Sequence, residues 1–156
     1  MKRISANNKT VKNVESALKQ IEKQQEHDAD KVRKSISNLK EHGGVDLHLA
    51  DHFEIKNIGG KGYVSSPGGA NLMLIGETKP SLKAGMYIVG REPNSNAELV
   101  YYKVTGSGIQ KRDCGKSADS TVSRFDLAII PQGDRVQIFN IGRNKTDLYF
   151  EGEVEF

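Results

Sequence analysis

The chain has no tryptophan, one cysteine and four prolines among its 156 residues. A single cysteine, Cys114, excludes an intramolecular disulfide, so packing and hydrogen bonds must hold the fold. Lys111, Arg112 and Lys116 lie near it in sequence, but no histidine does, and the thiol reads as inert. Long apolar runs are also missing. No stretch reaches the length of a signal-peptide core or a membrane span, and Ile4 is flanked by polar residues. The expectation is a chain without a secretory signal, cytoplasmic on this ground alone. Asn8-Lys9-Thr10 and Asn144-Lys145-Thr146 match the glycosylation pattern, and without such a signal they read as chance matches.

Catalytic signatures are equally scarce. His42, His48 and His52 lie close in sequence with Asp46 and Asp51 between them. A zinc-protease helix, however, needs a glutamate directly after the first histidine of its pair, and Leu49 follows His48. Cys114-Gly115-Lys116-Ser117 matches the end of a phosphate-binding loop, but Gln110 stands where its first glycine belongs. The residues after it read as a strand, whereas that loop must open a helix. No paired carboxylates, strained serine elbow or dinucleotide fingerprint is present. No catalytic, cofactor-binding or metal residue is therefore assigned, no cofactor is expected, and the protein is not expected to be an enzyme.

What is present is charge, unevenly placed. The formal net charge is +3, apolar residues make up 36% and the mean hydropathy is −0.57. Residues 1–42 hold ten Lys/Arg against six Asp/Glu, while residues 43–156 hold thirteen against fourteen. Lys2, Arg3, Lys9 and Lys12 come before any acid and are candidate anchoring residues, suited to phosphates, acidic lipid or an acidic protein.

Residues 10–42 carry the strongest pattern. Val11, Val14, Leu18, Ile21, Gln25, Ala29, Val32, Ile36 and Leu39 are spaced by threes and fours, the seam of a coiled coil. One extra four-residue step at Gln25 has the form of a stutter. A continuous helix here would be a rod about 48 Å long, capped by Thr10 and stopped by Gly43-Gly44. Its narrow stripe predicts self-association. Leu18 at an a position and Ile21 at d shift the preference from two strands toward three or four, and a trimer is the favoured expectation. The alternative is an antiparallel hairpin within one chain, breaking around residues 25–30.

After Gly44 the period changes to that of short strands punctuated by Gly, Pro, Asn and Ser. Eight or nine strands are expected, with residues 109–119 a polar loop. Ile55, Ile58, Leu72, Leu74, Ile88, Val100, Val104, Leu127, Ile129, Ile138, Ile141 and Phe150 are the candidate core. Ile55-Lys-Asn57-Ile58-Gly59 recurs as Ile138-Phe-Asn140-Ile141-Gly142. Each copy reads as a strand exit, with the asparagine bonding local backbone and the glycine taking positive φ. The predicted fold class is an N-terminal α-helical coiled coil followed by an all-β C-terminal domain, a jelly-roll-like sandwich. Its parts are a basic flexible leader (1–9), the coiled-coil helix (10–42), a glycine hinge (43–46) and the sandwich (47–156).

This arrangement, basic leader, self-associating rod, hinge and β head, resembles small bacteriophage structural proteins such as head fibres, capsid decorations and tail appendages. The resemblance covers the layout of the whole chain and no family motif, so it carries no residue roles. It implies a homotrimeric virion protein anchored by its N-terminus to capsid or tail, with no membrane partner. Two other classes are open. A glycan- or host-surface-binding module needs an outward tyrosine; Tyr101 and Tyr102 point to opposite faces of one strand, so one of them is the candidate. A nucleic-acid-associated adaptor would use Lys2, Arg3, Lys9 and Lys12, and the near-neutral remainder of the chain argues against it.

Overall fold

The computed structural model describes residues 2–25, 29–50, 52–56, 62–67, 72–74, 85–91, 98–117, 123, 125–143, 147–150 and 153–154. A short strand β1 (Lys2–Ile4) leads into two helices, α1 (Asn8–Gln25) and α2 (Ala29–His42). The strands that follow are β2 (Gly44–His48), β3 (His52–Lys56), β4 (Gly62–Pro67), β5 (Met73–Leu74), β6 (Met86–Arg91) and β7 (Glu98–Thr105). They continue with β8 (Gly108–Ser117), β9 (Leu127–Gln132), β10 (Arg135–Asn140), β11 (Asp147–Phe150) and β12 (Glu153–Val154). Two helices therefore precede a predominantly antiparallel β region.

The strands form two sheets. The larger has seven strands in the order β1-β2-β10-β9-β6-β7-β8, and the smaller has five in the order β12-β11-β3-β4-β5. Within the larger sheet, β9-β6-β7-β8 is a Greek key: three strands joined in sequence and a fourth lying beside the first. A jelly roll needs two such keys. In the smaller sheet β11 takes the place beside β3, and β9 and β10 form a plain hairpin within the larger, so the described strands do not confirm the expected jelly roll. The segment expected as a polar loop at 109–119 is mostly β8, paired along β7 from Gly108 to Ser117. Its charges suit an edge strand, where one backbone side faces water.

Both faces of the larger sheet are covered. On one, Val45, Leu47, Tyr87, Val89, Leu99, Tyr101, Leu127, Ile129, Val136 and Ile138 share a core with Phe53, Ile55, Leu72 and Leu74 of the smaller sheet side. On the other, Val14, Leu18, Ile21, Val32, Ile36 and Leu39 of the helices pack with Ile88, Val100, Tyr102, Ala128 and Phe139. The layers are thus helices, large sheet, small sheet. Burial on both faces explains why β6, β7 and β9 are almost continuously apolar, whereas β2 alternates.

This arrangement corrects the rod. The seam residues Val14, Leu18, Ile21, Val32, Ile36 and Leu39 are at most 7% exposed within a single chain. The helix stops at Gln25, where the heptad register slipped, and a second begins at Ala29 and packs against the first. The physical reason lies in the sheet. Its second apolar face needs a cover, and the helical stripe supplies one without a second copy; each buried Leu, Ile or Val contributes about 1.5–3 kcal/mol. Val11 is half-buried, and the side chains of Gln25 and Ala29 lie outside the described residues.

The ends of the helices differ from expectation in an instructive way. Asn7, not Thr10, caps α1: its Oδ1 accepts the Thr10 N–H at 2.8 Å, and its carbonyl accepts the Val11 N–H at 2.9 Å. Thr10 is buried two residues inside the helix. Gly43 ends α2 in the left-handed region at φ 64°, its N–H bonded to the Leu39 carbonyl at 3.0 Å. Gly44 is no hinge; it opens β2 opposite Phe139. Nor is the leader free, since Lys2–Ile4 pair with Gly44–Asp46.

Candidate functional site on the helical face

With the inner side of the helices committed to the core, their outer side is a charged surface. α1 exposes Lys9, Lys12, Asn13, Ser16, Lys19, Gln20 and Lys23, and α2 exposes Lys31, Arg33, Lys34, Ser37 and Lys40. Over the two helices, eight Lys/Arg stand against Glu15, Glu22, Asp30 and Glu41. Two of those acids pair along their own helix: Glu15 with Lys19 at 3.6 Å, and Asp30 with Arg33. Such exposed pairs contribute little to stability, and they leave the face positive. Lys12, Ser16, Lys19 and Lys23, with Glu15 and Gln20, line an open depression of about 330 Å³.

The four expected anchoring residues are divided by this geometry. Lys9 and Lys12 are exposed on α1, while Arg3 is exposed on the edge strand β1, in register with Val45. Lys2 lies opposite Asp46 in the same pairing, and its side chain is outside the described residues. Lys19 and Lys23 complete the set on α1.

His42 and His48 do not converge. His42 ends α2 and His48 ends β2, at opposite ends of a five-residue strand. His48 Nδ1 lies 4.0 Å from Asp134, and Asp46 accepts from Arg135 Nε at 2.9 Å. His42 keeps its Nδ1 buried, without a hydrogen-bond partner among the described residues. Asp51 and the His52 side chain lie outside the described residues, and among those described no group of three His, Cys, Asp or Glu is placed to hold a metal ion. The Cys114 side chain is likewise outside them; its backbone belongs to β8, not to a phosphate-binding loop.

The tyrosines are corrected as well. Tyr101 and Tyr102 do point to opposite faces of β7, but both are buried, at 7% and 3% exposure, because each face of the sheet is covered. Tyr87 is buried too and lies against Tyr101, ring centroids 6.1 Å apart. These three offer no stacking surface for a sugar; the side chains of Tyr63 and Tyr149 lie outside the described residues.

One polar cluster was not visible in the sequence. Asp126, 1% exposed, precedes β9 and accepts the Ser123 N–H on Oδ1 at 3.3 Å. Its carbonyl accepts the N–H groups of Ile141 and Gly142 at 3.0 and 3.1 Å, and its own N–H donates to Val89 at 2.9 Å. Asn140 Oδ1 accepts from Gly142 N–H at 3.0 Å, the local bond expected of that strand exit. Gly142 serves by close approach to the Asp126 carboxylate and Ser123, not by positive φ. The equivalent turn at residues 57–60 lies outside the described residues. This cluster ties the start of β9 to the end of β10 and reads as a structural lock. Its one signal was an aspartate set between Phe125 and Leu127.

No protein family matches the sequence, and neither curated proteins nor solved structures give a match. Among the described residues no helix is long and apolar enough to cross a membrane.

Proposed function

We propose that the protein is a non-enzymatic structural protein that docks on a larger assembly through its helical face and presents the β-sheets on the opposite side. The bacteriophage-type particle of the sequence resemblance is kept as the setting on the basic excess of the N-terminal third, since the rod, hinge and free leader are replaced by the layered fold; the helical face would meet an anionic component of that particle. A long fibre would need the helical seam for self-association, and those side chains are committed to the core; a homotrimer in this reading uses another surface. The observation that supports docking is the partition of charge, eight Lys/Arg against four acids on the helices beside a near-balanced remainder. Such a face attracts an anionic partner at long range, and more strongly at low salt.

The test is occupancy on the particle. Particles carrying the native chain and a chain with Lys9→Glu, Lys12→Glu and Lys34→Glu are compared by electron microscopy and by light scattering of the free protein. Loss of density with an unchanged free mass is expected. Undiminished density after charge reversal would remove the helical face as the anchor.

A further inference from the structure

The two helices bury equivalent stripes, yet their outward crests differ. At 3.6 residues per turn, Lys9, Lys12, Lys19 and Lys23 of α1 fall within an arc of about 80°. That arc lies opposite the buried line of Val14, Leu18 and Ile21. The four lysines span about 21 Å along the axis. Asn13, Ser16 and Gln20 lie among or beside them, all exposed, and Glu15 and Glu22 fall on one flank. The equivalent crest of α2 holds Asp30, Lys34, Ser37 and Glu41, a mixture of signs. The segregation is specific to α1.

The chemistry of that crest separates three kinds of anionic partner. A protein interface draws its energy from buried aromatic or aliphatic anchors, and none stands on the crest. A membrane-surface helix inserts an apolar face, and the apolar face of α1 is already inside the core. Contacts to phosphates need neither. They are wet and electrostatic, and Lys, Ser, Asn and Gln side chains commonly make them. A face without aromatic rings also lacks the stacking platform of a single-strand binder. Extending the docking reading above, on which this inference rests, we propose that the crest of α1 binds the phosphodiester backbone of duplex nucleic acid, independently of sequence.

Titration of a short labelled DNA duplex with the full chain, followed by fluorescence anisotropy across salt concentrations, tests this. With four lysine–phosphate contacts, the slope of log K against log salt should be about −3 to −4. Lys12→Gln, Lys19→Gln and Lys23→Gln together should bring it to about −1 and weaken binding at least tenfold at low salt, roughly 50 mM. All three side chains are exposed, and an unchanged circular dichroism spectrum checks the fold. The corresponding triple arginine variant should retain the slope, and Lys103→Gln on β7, away from the helical face, should leave it unchanged. Absence of duplex binding at low salt, or binding indifferent to the glutamine variant, overturns the proposal. Binding to polyglutamate but not to DNA also overturns it, yet leaves an acidic protein as the docking partner. Binding to neither removes both readings.

Discussion

Gly44 sits where α2 hands the chain to the larger sheet, and its missing side chain is a packing requirement. A Cβ there would run into the Ile138 carbonyl oxygen and stand 2.6 Å from Phe139 Cδ1. The backbone carbonyl cannot swing away without breaking the β2–β10 pairing that holds it. Gly44→Ala should therefore cost about 2 kcal/mol or more in urea denaturation, in the range of overpacked cores. A cost below about 0.5 kcal/mol, typical of surface sites, would show that β2 is not seated as described. The same residue marks a limit of reading sequence. Two adjacent glycines announce conformational freedom, which made a hinge the natural expectation. Only the fold reveals that the second glycine is there to admit Phe139. The cap of α1 shifted for a related reason, since Asn7 and Thr10 are both good capping residues and the choice depends on where the chain enters the helix.

At the scale of elements, the amphipathic stripe was legible and its partner was not. Spacings of three and four identify which side of a helix is buried, and Val14, Leu18, Ile21, Val32, Ile36 and Leu39 are all buried as that pattern requires. The pattern does not say whether a helix or a sheet lies opposite. The missing clue lay in Met86-Tyr87-Ile88-Val89 and Leu99-Val100-Tyr101-Tyr102, continuous runs that need cover on both faces and so leave one sheet face waiting for the helices. The candidate docking face was half legible. Its basic excess showed in the charge count, and the shared crest of Lys9, Lys12, Lys19 and Lys23 follows from helical periodicity, while its role as the outer face of a single chain depended on the sheet covering the opposite side. If helices and sheet share one core, Leu39→Ala, at a fully buried position, should cost about 2–5 kcal/mol. It should also shift helical circular dichroism and near-ultraviolet tyrosine signals together, because Tyr102 belongs to the same core. A helical signal that melts ahead of an unaltered tyrosine signal would restore the helices to an independent appendage.

For the molecule as a whole, the layering makes the N-terminal third part of the solubility of the rest. Removing residues 1–42 would uncover Ile88, Val100, Tyr102, Ala128 and Phe139 in one contiguous apolar face across β10, β9, β6 and β7. Phe139, Ala128, Ile88 and Tyr102 stand in register across those four strands, so the exposed face would be a band of neighbours, not scattered residues. A soluble monomer rarely exposes a patch of more than a few hundred Å². The chain already guards its other weak point: β8, ten residues long at the sheet edge, exposes Lys111 and Arg112, which oppose edge-to-edge pairing. A truncation beginning at Gly43 should therefore bind an apolar dye strongly and associate or precipitate at concentrations where the intact chain scatters as a defined species. An appended rod predicts the reverse, because the β region would then keep its own complete surface and the truncated chain would become smaller and cleaner. Light scattering of the two chains side by side decides the matter: a soluble, dye-negative truncated monomer would overturn the layered arrangement, and with it the burial of the seam on which the docking face depends.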